Sequence, residues 1–210
     1  MKNAAGARQV AQPVPGRSAP GREALVETAM RLFGARGYAA VGMRELVAEA
    51  GVSLGLVRTH FGSKEGLREA VDAHALQAVQ RLYASVLEDP APLSLDSTAR
   101  AAVAWGAENS ELFAYIRMAL LEVTPGSQAL FDALYALMQS FVDGMDRLGR
   151  LQPRVDRDMV ALFLLYDFLG AALVAPFGQK AFGMPMFDSR LVARRNLTMA
   201  RLFTCGVFRE

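Results

Sequence analysis

The chain has 210 residues, a formal net charge of +2, 52% hydrophobic and 21% charged side chains, which excludes a disordered polymer and supplies apolar surface for one large domain or a small domain on a larger one. The charge is unevenly divided: residues 1–70 hold ten Lys/Arg against six Asp/Glu and the remainder thirteen against fifteen, a division that either marks a DNA-contacting head on a near-neutral body or arises by chance. Cys205 is the sole cysteine, so no intrachain disulfide or thiolate metal site is available, and Pro13, Pro15 and Pro20 interrupt the N-terminal stretch where a secretory signal would be continuous and apolar, which points to the cytoplasm.

Residues 1–21 show no apolar period and are expected to form a flexible tail, whose Arg8 and Arg17, with Arg22 just beyond, either reach a minor groove or stay solvated. From Arg22 the pattern changes. Leu25, Ala29, Leu32 and Phe33 form one apolar stripe on a helix that stops at Gly37. Met43 to Ala50 predicts a second, shorter helix closed by Gly51, where a helix end calls for positive φ. Ser53 is placed to cap a third helix with Val57 and Phe61 turned inward, and Gly62 ends it after about two turns. Ser63 is placed to cap a fourth, running to about Asp89 before Pro90 and Pro92.

Beyond Pro92 the pattern stays helical, with helices expected near Leu95 to Asn109, Glu111 to Val123, Ser127 to Leu148, Asp156 to Ala175 and Asp188 to Gly206. No stretch shows sustained strand alternation. The fold class expected is therefore all-α. A three-helix helix-turn-helix DNA-binding head over 22–67 is followed by a helical ligand-binding and dimerisation domain over 68–210.

The two short helices joined by Gly51-Val52-Ser53 describe a helix-turn-helix whose second member enters the major groove, although many helix pairs are merely structural. The outward residues favour the first reading: Arg44, then Arg58, Thr59 and His60, then Lys64 are donors suited to phosphates and base edges.

The run Arg22-Glu-Ala-Leu-Val-Glu-Thr-Ala-Met-Arg-Leu-Phe, followed by Gly37-Tyr38, Ala50-Gly51-Val52-Ser53, Gly55 and His60-Phe61-Gly62-Ser63-Lys64-Glu65-Gly66-Leu67, resembles the TetR family of transcription regulators over about 46 residues. The resemblance implies a homodimeric repressor of palindromic operator DNA, released when a small hydrophobic or amphipathic effector binds the C-terminal domain and spreads the heads. It assigns Arg44 to a base or phosphate contact. Ser53, Gly55, Leu56, Arg58, Thr59 and His60 go to the groove-facing segment and Lys64 to a phosphate. Two positions depart from the pattern: Gly42 stands where a Ser or Thr cap is frequent, and Arg58 replaces an aromatic hydroxyl, substituting a charge-assisted phosphate bond or a bidentate guanine contact. Leu54 and Leu56 either meet thymine methyls or pack on neighbouring helices.

Of two histidines, His60 and His74, neither has cysteines nearby, so no metal site is expected. The head glycines follow no strand, and the serines sit in no nucleophile elbow, so neither cofactor nor enzymatic apparatus is expected. In the C-terminal part Trp105, Asn109, Phe113, Met118, Phe141, Met145 and Tyr166 are candidate ligand contacts. Asn109, Gln139 and Asp167 are candidate polar anchors, and ordinary helix core is the alternative for each apolar member. The 156–175 helix is apolar on nearly every face. Asp167 at its middle argues against a bilayer span, so a homodimer through the 156–175 and 188–206 helices is expected to bury it. The competing function is a helical carrier for a hydrophobic small molecule, which explains the aromatic core but not the Arg44, Arg58 and Lys64 arrangement.

Overall fold

The computed structural model describes residues 18–88, 105–106 and 108–206, and no β-strand occurs among them. Most of the expected tail, with Arg8 and Arg17, and most of the expected 95–109 helix lie outside the described residues. The head comprises α1 (Ser18–Arg36), α2 (Met43–Glu49), α3 (Leu54–Phe61) and the start of α4 (Lys64–Glu88). The body holds α5 (Ser110–Leu121), α6 (Pro125–Arg147), α7 (Arg157–Val174), a 3-10 turn Ala175–Phe177, a short α8 (Gly178–Phe182) and α9 (Ser189–Gly206).

Local chemistry accounts for most boundaries and corrects several expectations. Helix α1 begins at Ser18, four residues before Arg22, because Pro20 falls in the first turn, where its missing N–H costs nothing. Ser53 adopts the extended N-cap conformation but makes no side-chain cap bond, leaving its hydroxyl exposed. Ser63 does cap α4, with its Oγ accepting the Gly66 N–H at 3.1 Å. Helix α6 starts at Pro125, before the expected Ser127. Pro125-Gly126 reads as a break, yet Pro favours the first helical position, and Thr124 and Ser127 close a reciprocal capping box around it. Asp156 caps α7 by accepting the Met159 N–H at 3.1 Å.

The head core is Leu25, Ala29, Leu32, Phe33, Val41, Leu46, Val57 and Leu67, all buried. It runs without a gap into the body because α1 packs along α5. A Cβ on Gly34 would lie 2.7 Å from the Tyr115 backbone nitrogen, so glycine is what lets the two helix backbones approach. In the body, α7 packs on α6 and buries Val160, Ala161, Leu165, Phe168 and Leu169, with Phe168 against Phe113 of α5. The opposite face of α7 is bare: Met159, Phe163, Tyr166, Leu173 and Val174 are exposed, as are Phe177, Phe182 and Leu202 beyond it. The Arg157–Phe182 stretch meets the length and apolarity of a bilayer-crossing helix. Within this fold, its buried side is a protein contact.

Candidate nucleic-acid interface and body cavities

The turn between α2 and α3 is set by Gly51 at φ +68°, and α3 ends at Gly62 at φ +73°, two backbone positions that side chains with a Cβ adopt poorly. Between them α3 buries Val57, and its other side faces outward. Leu54, Gly55, Arg58 and Thr59 are exposed there, with Ser53 before them and Arg44 on the first turn of α2. The Thr59 hydroxyl donates to the Gly55 carbonyl at 3.0 Å.

Three residues of the expected contact set sit further in. Leu56 is half-buried against the head core, under the start of α1 at Gly21. His60 is half-buried edge-on to Phe61, with its Nε2 shielded and unbonded. Lys64 turns its ammonium inward: Nζ donates to the Tyr38 carbonyl at 2.6 Å and lies 4.2 Å from the centre of the Tyr38 ring. Burial lowers its pKa, against the opposing pull of Glu65 and Glu122.

Four further cations of the head, Arg22, Arg31, Arg36 and Arg68, are likewise committed. Arg31 pairs with Glu49 at 2.8 Å and Arg36 with Glu45, tying α1 to α2. Arg22 lies over the Phe61 ring. Arg68 pairs with Glu122 at 3.0 Å in a largely buried contact. The second oxygen of Glu122 accepts the Tyr38 N–H at 2.7 Å, so the end of α5 holds the turn that leads into α2. The Tyr38 hydroxyl donates to Glu65, and burial followed by that bond pushes its pKa up to about 12. Deeper in, the Tyr115 hydroxyl donates to Asp72 at 2.6 Å and joins α5 to α4. Sequence reading missed the Glu122 clamp: an acid 84 residues from Tyr38 carries no local signal.

The expected ligand contacts do not converge on one cavity. Trp105 and Phe113 line a narrow chamber of about 90 Å³ with Phe168 and Phe187. Phe141 faces a groove of about 490 Å³ between α4 and α6, and Tyr166 faces a cavity of about 700 Å³ between α7 and α9. Met145 is completely buried core. Met118 packs beside Gly37 at the head junction, and the Asn109 side chain donates to the Trp105 carbonyl at 2.8 Å. Gln139 donates to Asp158 at 2.9 Å. Asp167 lines both the narrow chamber and the larger cavity, together with Arg195. Burial raises the Asp167 pKa, partly offset by Arg195, and burial lowers that of Arg195, partly offset by Asp167 and Tyr83. Among the described residues no group of three or more His, Cys, Asp or Glu is placed to hold a metal.

A family model described as bacterial regulatory proteins, tetR family, matches residues 25–71, from α1 through the first turns of α4. The HTH-type transcriptional regulatory protein RaaS of Mycobacterium tuberculosis is 31% identical over 138 residues, covering 66% of this chain and 63% of that protein. The HTH-type transcriptional repressor Rv3405c of the same organism is 32% identical over 169 residues, covering 79% of this chain and 74% of that protein. Among solved structures, full-length native tylp, a tetr regulator from Streptomyces fradiae, superposes with a TM-score of 0.66 at 22% identity, covering 92% of this chain and 89% of that one.

Proposed function

Because the chain belongs to the TetR family of bacterial regulatory proteins, whose members bind DNA to regulate transcription and are not enzymes, we propose that it is a ligand-responsive repressor of a near-palindromic operator. The observation that carries the reading is the pairing pattern of head cations. Arg31, Arg36, Lys64 and Arg68 are held by internal partners, whereas Arg44 and Arg58 stand exposed on the outer side of the helix-turn-helix with no partner among the described residues. Arginines left unpaired beside the exposed hydroxyl of Ser53 suit phosphate oxygens and guanine edges.

Two heads are needed to read two half-sites about 34 Å apart. The bare apolar face of α7, with Phe163 and Tyr166, and the exposed Leu202 of α9 supply a surface for two-fold pairing in the cytoplasm. A hydrophobic or amphipathic effector in the body then favours a spacing of the heads that no longer matches the operator. Such coupling is usually about 1–3 kcal/mol. The kinship with a named repressor supports repression over activation.

The test is fluorescence anisotropy with a duplex from the region upstream of the gene and an unrelated duplex, across a salt series. Preferential binding that weakens with salt is expected, and Arg44→Ala and Arg58→Ala should each weaken it by about 1–3 kcal/mol. Equal, weak binding to both duplexes that ignores both substitutions would refute operator recognition through this face.

A further inference from the structure

Among the described residues, two neighbouring buried donors of the body find no acceptor. Arg195 Nη1 and Asn196 Nδ2 are shielded from solvent without a hydrogen-bond partner, although buried donors are almost always satisfied and an exception calls for a missing acceptor. Both residues line the narrow chamber, whose walls are aromatic: Phe113 meets Phe187 at 4.5 Å, Phe168 at 5.2 Å and Trp105 at 5.4 Å between ring centres. Arg195 also lines the adjoining cavity of about 700 Å³, with Tyr166, Val174, Phe177 and Met186. Its volume falls within the roughly 300–1,000 Å³ of small-molecule sites.

We propose that these two cavities, which share Asp167 and Arg195 in their walls, together bind an amphipathic organic anion, its carboxylate accepting from Arg195 and Asn196 and its apolar body lying between α7 and α9. The charge lining the two cavities favours an anion over an amine, since Arg194 and Arg195 face the single carboxylate of Asp167. Burial moves Asp167 toward its neutral form, which reduces its repulsion of a bound carboxylate. Among the described residues the Arg195 guanidinium donates to the Asn196 side-chain oxygen through Nε and Nη2, at 3.3 Å each, which leaves Nη1 to donate to a carboxylate in a charge-assisted bond. The site rests on the effector reading above and gives it a chemical class. Tyr166 and Val174 belong both to this cavity and to the bare face proposed for pairing, so a ligand here touches that face directly.

Trp105, the only tryptophan, stands in the narrow chamber and reports on it without DNA. The full-length protein is titrated with decanoate, 1-decanol and decyltrimethylammonium while Trp105 emission is followed. Decanoate should bind at least about 10-fold more tightly than either of the others, and Arg195→Met should abolish that preference while 1-decanol binding persists. Asn196→Leu should reduce the preference by a smaller factor and carries the test if Arg195→Met fails to fold. Equal binding of all three probes to wild type, or a preference untouched by both substitutions, overturns the proposal. Saturable, Arg195-dependent binding that leaves operator anisotropy unchanged would uphold the site and refute the effector role. Operator release by decanoate that ignores both substitutions would uphold the effector role and refute this site.

Discussion

Lys64 illustrates how a residue that matches a motif can also be held by the fold. It stands in the run His60 to Leu67 that resembles phosphate-contacting positions, yet its ammonium donates to the Tyr38 carbonyl and covers the Tyr38 ring. Removing it therefore costs a hydrogen bond and a cation–π contact, together about 1–2 kcal/mol. Lys64→Ala should lower Tm by a few degrees in a thermal melt. The salt dependence of DNA binding should remain near that of wild type, whereas Arg58→Ala should reduce the slope by about one unit. A Lys64→Ala protein with unchanged Tm and a reduced salt slope would return the lysine to the phosphate backbone. The sequence identified the donor types but not their direction. Direction depends on Tyr38, 26 residues away.

At the scale of elements, capping and glycine chemistry placed most helices correctly, and the misses have local causes. In the sequence Pro125-Gly126 reads as a break, because proline and glycine together usually interrupt a helix. Thr124 turns the same pair into a start. Gly34 has no turn to serve and reads as a weak point inside α1, since glycine costs about 1 kcal/mol against alanine in a helix. Its reason is the α5 backbone against it. Gly34→Ala should thus destabilise the protein by about 1–3 kcal/mol despite its better helix propensity. Denaturant unfolding checks this, and a stabilised variant would show that α1 and α5 part without cost. Such a parting would also disturb the Glu122 clamp, because α5 ends on it.

At the scale of the whole molecule, the apolar α7 was expected to need cover on every side, and one chain covers only the side facing α6 and the core. Phe163 is 57% exposed and Tyr166 55% exposed, an arrangement that a second copy relieves by pairing like surfaces. Phe163→Arg places a charge in that face. Analytical ultracentrifugation should show the mass falling from dimer to monomer, and operator affinity should fall with it because a lone head grips one half-site. A Phe163→Arg protein that stays dimeric at micromolar concentration would place the pairing surface elsewhere. The aromatics of the body are candidate ligand contacts by sequence, with helix core as the alternative for each. In the fold, they are divided among core, groove and two cavities.

What the sequence determined by itself is what short-range physics encodes: the apolar stripe of α1, the glycine-closed α2 and α3, the cap at Ser63 and the donor side chains carried on α2 and α3. Helix periodicity and positive φ act over a few residues, so they are visible in a linear reading. Tertiary structure alone decided which cations remain unpaired and which side of α7 is bare. It also joined Glu122 to Tyr38 and brought Arg195 and Asn196 beside Asp167 and Trp105. These facts depend on helices that meet across long separations, where side-chain identity fixes the chemistry and packing fixes the partner.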